Sequence, residues 1–183
     1  MSRFKDRTRT ALMVIDVQND VVATAYKRDE IVANINSCVE KARAAGVPVI
    51  WVQHSDEGLP IDSEGWEIVS ELAPNVGDPK IRKTFRSSFV ETDLAAVLAK
   101  LSVSHLVITG AETNNCVRFT SHNALELGYD LTLVEDAHTT SDFEWENGMV
   151  KASQIIDEQN ASFAYLTMPD QKISLTNSAD LLF

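Results

Sequence analysis

The chain of 183 residues is 44% hydrophobic and 23% charged, the profile of one globular domain able to bury a core without disulfides or a structural metal. Its 27 acidic against 16 basic residues leave a net charge of -11, which repels phosphate backbones and anionic lipid and argues against nucleic-acid or membrane partners. The charged start MSRFKDRTRT does not read as a signal peptide, and no apolar run reaches the roughly 18 residues of a spanning helix, so a cytoplasmic location is expected.

Along the chain, short apolar runs alternate with segments of helical period. ALMVID (11–16) is the first run. Ile31, Val32, Ile35, Cys38, Val39 and Ala42 then form one helical stripe, with Gly46 as its stop. PVIWVQH (48–54) is the second strand, and a short extra strand is expected at 80–83. Trp66, Ile68, Val69 and Leu72 follow a helical stripe that would suit a subunit contact. Thr92 is placed as N-cap for a helix carrying Leu94, Val97, Leu98 and Leu101. HLVITG (105–110) precedes a bend and a helix that starts at Cys116 and closes at Gly128. DLTLVED (130–136) is the next strand; Ser141 and Glu144 then read as a capping box for a helix with Met149, Ala152, Ile155 and Ile156. ASFAYLT (161–167) is read as the last strand. Nearly continuous Val, Ile and Leu within the strands is what a sheet covered on both faces requires. The expected fold is therefore α/β: a three-layer, Rossmann-like open sheet of about six parallel strands, helices on both faces, in a single domain over 1–183.

In such a sheet the ligand crevice lies beyond the carboxyl ends of the strands, where Asp16, His54, residues 110–116, Asp136 and His138 fall. The seven glycines form neither a dinucleotide nor a Walker fingerprint, and no G-x-S-x-G or H-E-x-x-H occurs. That leaves Cys116 as candidate nucleophile. At a helix start its pKa is expected to fall from about 8.5 toward 7.5 or lower, whereas Cys38, on an apolar stripe, reads as structural. His122 lies about 240° around the helix from Cys116 and His105 starts a strand at the wrong end. His54 or His138 could pair with the thiol. Asp16, abutting an apolar strand, needs a partner, which Lys83 could supply.

These residues carry a likeness. ALMVIDVQND, QHSDEG, IRKTFRSSF, VITGAETNNCVRFT and LGYDLTLVEDAHTTSD resemble, block by block and over most of the chain, the isochorismatase-like cysteine hydrolases. That superfamily includes nicotinamidases, N-carbamoylsarcosine amidase and ureidoacrylate amidohydrolases. The resemblance implies a catalytic triad of Asp16, Lys83 and Cys116 and a thioester route to hydrolysis of a small amide, carbamoyl or ureido compound. It implies a cis peptide between Ala111 and Glu112, with the amides of Glu112 and Cys116 as oxyanion hole. Gln18, Val21 and Phe85 would line the substrate pocket, Val21 standing where the family commonly has phenylalanine. Trp66 and Phe89 could also wall it, with Glu112 and Arg118 at its mouth. The cysteine argues for amide rather than vinyl-ether chemistry. Gln53, His54, Ser55 and Asp56 match the nicotinamidase metal motif poorly, so, although His54, Asp56 and Glu57 cluster in sequence, no metal and no cofactor is expected. Members of the superfamily are commonly dimers or larger, so a homo-oligomer is expected. A second reading keeps a reactive Cys116 in a redox or ligand-sensing protein without turnover.

Overall fold

In the computed structural model, which describes residues 2–146 and 148–183, the first strand explains the architecture. β1 (Arg9–Ile15) buries five consecutive residues. Side chains alternate across a strand, so Leu12 and Val14 enter one core with helix α2 (Arg28–Ala44), while Ala11, Met13 and Ile15 enter the other. A strand wet on one face could not carry this pattern.

The chain continues through a short α1 (Asn19–Val22), α2, and strands β2 (Val49–His54) and β3 (Lys80–Lys83). It then runs through α3 (Leu94–Lys100), β4 (Val103–Ala111), a π-turn over Thr113–Val117, α4 (Arg118–Leu127) and β5 (Asp130–Thr139). A hairpin of β6 (Phe143–Trp145) and β7 (Gly148–Val150), α5 (Ala152–Tyr165) and β8 (Ile173–Thr176) complete it. Six strands form one sheet in the order β3-β2-β1-β4-β5-β8, every neighbouring pair parallel. The order reverses between β1 and β4. That is the switch point, where two crossovers leave in opposite directions and open a crevice at the carboxyl ends.

Four expectations are corrected. Residues 161–165 end helix α5 and do not form a strand; Ala152, Gln159 and Phe163 are its buried positions, at helical spacing, and the last strand is β8. No helix starts from a Ser141–Glu144 capping box. Phe143–Trp145 and Gly148–Val150 pair as an antiparallel hairpin carrying Met149, and Asp142 instead caps α5, its Oδ1 accepting from the Ala152 amide at 2.8 Å. The stripe at Trp66, Val69 and Leu72 is no subunit-facing helix: a 3-10 turn covers only Glu64–Trp66, and all three side chains are buried. Finally, α3 takes Asp93 as N-cap, although Thr92 Oγ1 still accepts from the Leu94 amide at 3.3 Å.

Candidate active site

Three strand ends build the site. Asp16 directly follows β1 with a left-handed φ of 50°, a conformation that aspartate tolerates better than most residues, and its amide still donates to Val52 O at 2.9 Å. Lys83 is the last residue of β3, which lies beyond β2 from β1. Two inter-strand spacings of about 4.8 Å separate those strands, a gap that a short side chain could not cross. Lys83 spans it: Nζ lies 2.6 Å from Asp16 Oδ2 and 3.2 Å from Cys116 Sγ. Cys116 arrives from the other side of the switch point, on the π-turn after β4, with non-helical φ, ψ of -115°, -105° at Asn115 just before it. The peptide between Ala111 and Glu112 is cis. Asp16, Lys83 and Cys116 thus meet although they are far apart in sequence.

Burial sets the electrostatics. The Lys83 and Asp16 side chains are 0% and 1% exposed. Burial raises the Asp16 pKa, opposed by the Lys83 charge and the neighbouring Cys116 thiol. The expected depression of the thiol pKa does not occur. Burial, reinforced by the Asp16 carboxylate, pushes Cys116 up to about 12, and Lys83 offsets this only in part. The expected helix start at Cys116 is also corrected: α4 begins at Arg118 and Cys116 lies inside the preceding π-turn, so no terminal turn of dipoles offsets the cost of desolvating the thiolate. One lysine cation balances one anion. The thiol therefore holds its proton at rest.

The remaining sequence candidates fall into place around this centre. Gln18 is fully buried with its amide committed: Nε2 donates to the carbonyls of His54 and Trp66 at 3.0 and 2.8 Å, and Oε1 accepts from the His54 amide at 2.8 Å. It braces the end of β2. Val21, half-buried on α1, packs against the α2 core. Phe85 is 47% exposed and, with His54, Thr84, Arg86, Val90 and Phe119, lines a cavity of about 550 Å³ whose lining includes none of Asp16, Lys83 and Cys116. A larger cavity, about 820 Å³, is bordered by Arg7, Thr8, Ser104 and Asp130 at the amino ends of the strands, away from these groups. Trp66 and Phe89 are packing residues, the latter 5.8 Å from the Tyr129 ring centre. Glu112 accepts from Asn115 Nδ2 at 2.7 Å, and Arg118 is tied to Gln159 and Glu158 on α5.

Neither histidine pairs with the thiol. His54 Nε2 lies 3.0 Å from Asp56 Oδ2, and its Nδ1 meets no partner among the described residues. His138 is fully buried, both ring nitrogens engaged by Thr113 and Asn160 at 2.9 Å each. Among the described residues no three His, Cys, Asp or Glu side chains come together as metal ligands; Glu57 does not join His54 and Asp56. No helix is long and apolar enough to cross a membrane among the described residues. Sequence reasoning missed the contributions of Thr113, Thr140 and Asn160, whose partners lie on other elements and leave no local signal.

Known proteins share the fold. The isochorismatase domain model covers residues 10–171. A streptothricin hydrolase of Streptomyces noursei is 33% identical over 138 residues, 72% of this chain but only 50% of that protein. A probable inactive nicotinamidase of Arabidopsis thaliana is 34% identical over 82% of this chain and 88% of its own length. Among solved structures, a cysteine hydrolase from Pseudomonas syringae pv. phaseolicola superposes with a TM-score of 0.85 at 26% identity, over 94% of this chain and 90% of that one. A parallel sheet reversing between β1 and β4, a cysteine carried on the turn after β4, and a domain match spanning nearly the whole chain lead to one statement: the protein belongs to the isochorismatase family of hydrolases.

Proposed function

We propose that the protein hydrolyses a C–N bond in a small amide, carbamoyl or ureido compound, with Cys116 as nucleophile, Asp16 as general base and acid, and Lys83 as electrostatic partner. The observation that carries this reading is the Lys83 ammonium, buried and bridging Asp16 Oδ2 at 2.6 Å and Cys116 Sγ at 3.2 Å. A thiol held protonated must lose its proton as it attacks, and Asp16 is the adjacent base. Sγ bonds to the carbonyl carbon while the thiol proton passes to Asp16. The amides of Glu112 and Cys116 receive the oxyanion. Asp16 then returns the proton to the departing nitrogen, the C–N bond breaks, and a thioester remains. Water attacks the thioester, giving a proton to Asp16; the carboxylic product leaves and the proton returns to sulfur. The steps close with these residues alone.

The cavity bounded by His54 and Phe85 is the substrate site in this scheme. Likeness to proteins named streptothricin hydrolase and cysteine hydrolase supports hydrolysis in general. The test is ammonia or amine release from a panel of small amides, carbamates and ureides. Cys116→Ala should remain folded and release nothing, and Asp16→Asn should lose at least the roughly 10² to 10⁴ that a general base contributes. Undiminished release by Cys116→Ala would remove the nucleophile assignment. A second reading, a non-turnover sensor, draws on the relative named a probable inactive nicotinamidase. It calls instead for no release from any panel member and for peroxide oxidation of Cys116.

A further inference from the structure

The turn that presents Cys116 is fastened by side chains from the end of β5. Thr113 is fully buried, and its hydroxyl lies 2.9 Å from His138 Nδ1. His138, equally buried, places Nε2 2.9 Å from Asn160 Oδ1, and Asn160 Nδ2 donates to the Glu135 carbonyl at 3.0 Å. That last bond, together with the burial that keeps the His138 ring neutral, fixes the protons in the chain. A carbonyl only accepts, so Asn160 turns Nδ2 to Glu135 and Oδ1 to the ring. Oδ1 only accepts, so His138 carries its proton on Nε2. Nδ1 is then a lone pair, and Thr113 is its donor. Next to this relay, Thr140 Oγ1 donates to Asn114 Oδ1 at 2.8 Å. Thr140 is itself anchored, its carbonyl accepting from the Tyr26 amide at 2.9 Å.

Two consecutive residues of the turn, Thr113 and Asn114, are thus tied to one strand end just before the backbone departs from helical geometry at Asn115. An irregular turn supplies fewer backbone hydrogen bonds to hold its own shape, and the thiol must stay within about 3 Å of two groups on other strands to work. We propose that His138 and Thr140 are positioning residues: the neutral, Nε2-protonated His138 acts through Thr113, and Thr140 acts through Asn114, to keep Cys116 Sγ between Asp16 and Lys83. The inference rests on the reading of Cys116 as nucleophile.

The test needs no substrate. Iodoacetamide labelling of the Cys116 peptide is followed by mass spectrometry from pH 6 to 10, in the wild type, Asp16→Asn, Thr113→Val and Thr113→Ser. A thiol seated between Asp16 and Lys83 labels with a rate that keeps rising to pH 10, whereas one released from that seat levels off near the free-thiol value of about 8.5. Wild type and Thr113→Ser should show the first profile, the hydroxyl being retained. Asp16→Asn, which removes the neighbouring anion, and Thr113→Val should both shift downward by a pH unit or more. If Asp16→Asn shifts and Thr113→Val does not, the positioning role is wrong and the triad stands. If no variant shifts, the triad reading falls and takes the positioning role with it. Asn114→Ala, at a half-buried position, carries the same criterion should Thr113→Val fail to fold.

Discussion

At Cys116, the proposed nucleophile, burial and activation pull in opposite directions. A thiol with its pKa pushed up to about 12 is a poor resting thiolate, and for that reason the proposed scheme has Asp16 take the proton as the carbon–sulfur bond forms. His138 shows the same competition with a clearer consequence for stability. Burial pushes its pKa from 6.5 down to about 4, so the unfolded chain binds a proton that the folded protein refuses. Stability should therefore be lost as pH falls from about 6.5 to about 4, by roughly 3 kcal/mol in all. Urea denaturation of wild type and His138→Gln across that window measures it, and the variant should lack this component; parallel curves would show that His138 contributes none. Asp16 and Cys116 stood out in the sequence because an acid after an apolar strand and a thiol after a strand end are locally conspicuous, whereas Lys83, an ordinary lysine on local evidence, stood out only through the family resemblance. Their pKa directions did not, since desolvation depends on what covers a group and not on its neighbours in the chain.

Among the elements, β1 and β4 are the ones whose contact the site cannot lose. Gly110 has φ of 120°, and a Cβ there would run into the backbone of Ile15, the residue before Asp16. Glycine alone meets both demands. Gly110→Ala should cost at least about 2 kcal/mol and reduce turnover as well, because relief of the collision displaces Asp16. Calorimetry together with ammonia release checks both effects; a variant as stable as wild type would contradict the close approach. Helices α2 and α3 were legible from their apolar stripes, α4 from its Gly128 stop, and strands β1, β2, β4 and β5 from continuous apolar runs. The carboxyl-terminal third was not. A short run such as ASFAYLT suits a strand or a helix equally until length decides, and here it prolongs α5 to Tyr165. Ser141 and Glu144 suggested a helix start in the same stretch, and only the pairing between Phe143 and Val150 reveals a hairpin there.

Across the molecule, cover follows the sheet order. β1 and β4 have strands on both sides and packed layers above and below, whereas the β6–β7 hairpin leaves Phe143, Trp145 and Met149 exposed. A two-stranded hairpin has little stability of its own. Amides of Met13–Ile15 and Val107–Ile108 should accordingly exchange with deuterium only through global unfolding, and those of β6 and β7 orders of magnitude faster; equal protection would mean that something covers the hairpin. Sequence by itself determined the fold class, the acidic character and the residue types available for chemistry, because apolar period, net charge and side-chain functional groups are local properties of the chain. Tertiary structure alone decided that Lys83 reaches across β2 to Asp16, that the Gln18 amide is spent on backbone, and that both carboxyl-end histidines are engaged away from the thiol. Those outcomes depend on strand order and burial, which arise from contacts between residues scores of positions apart.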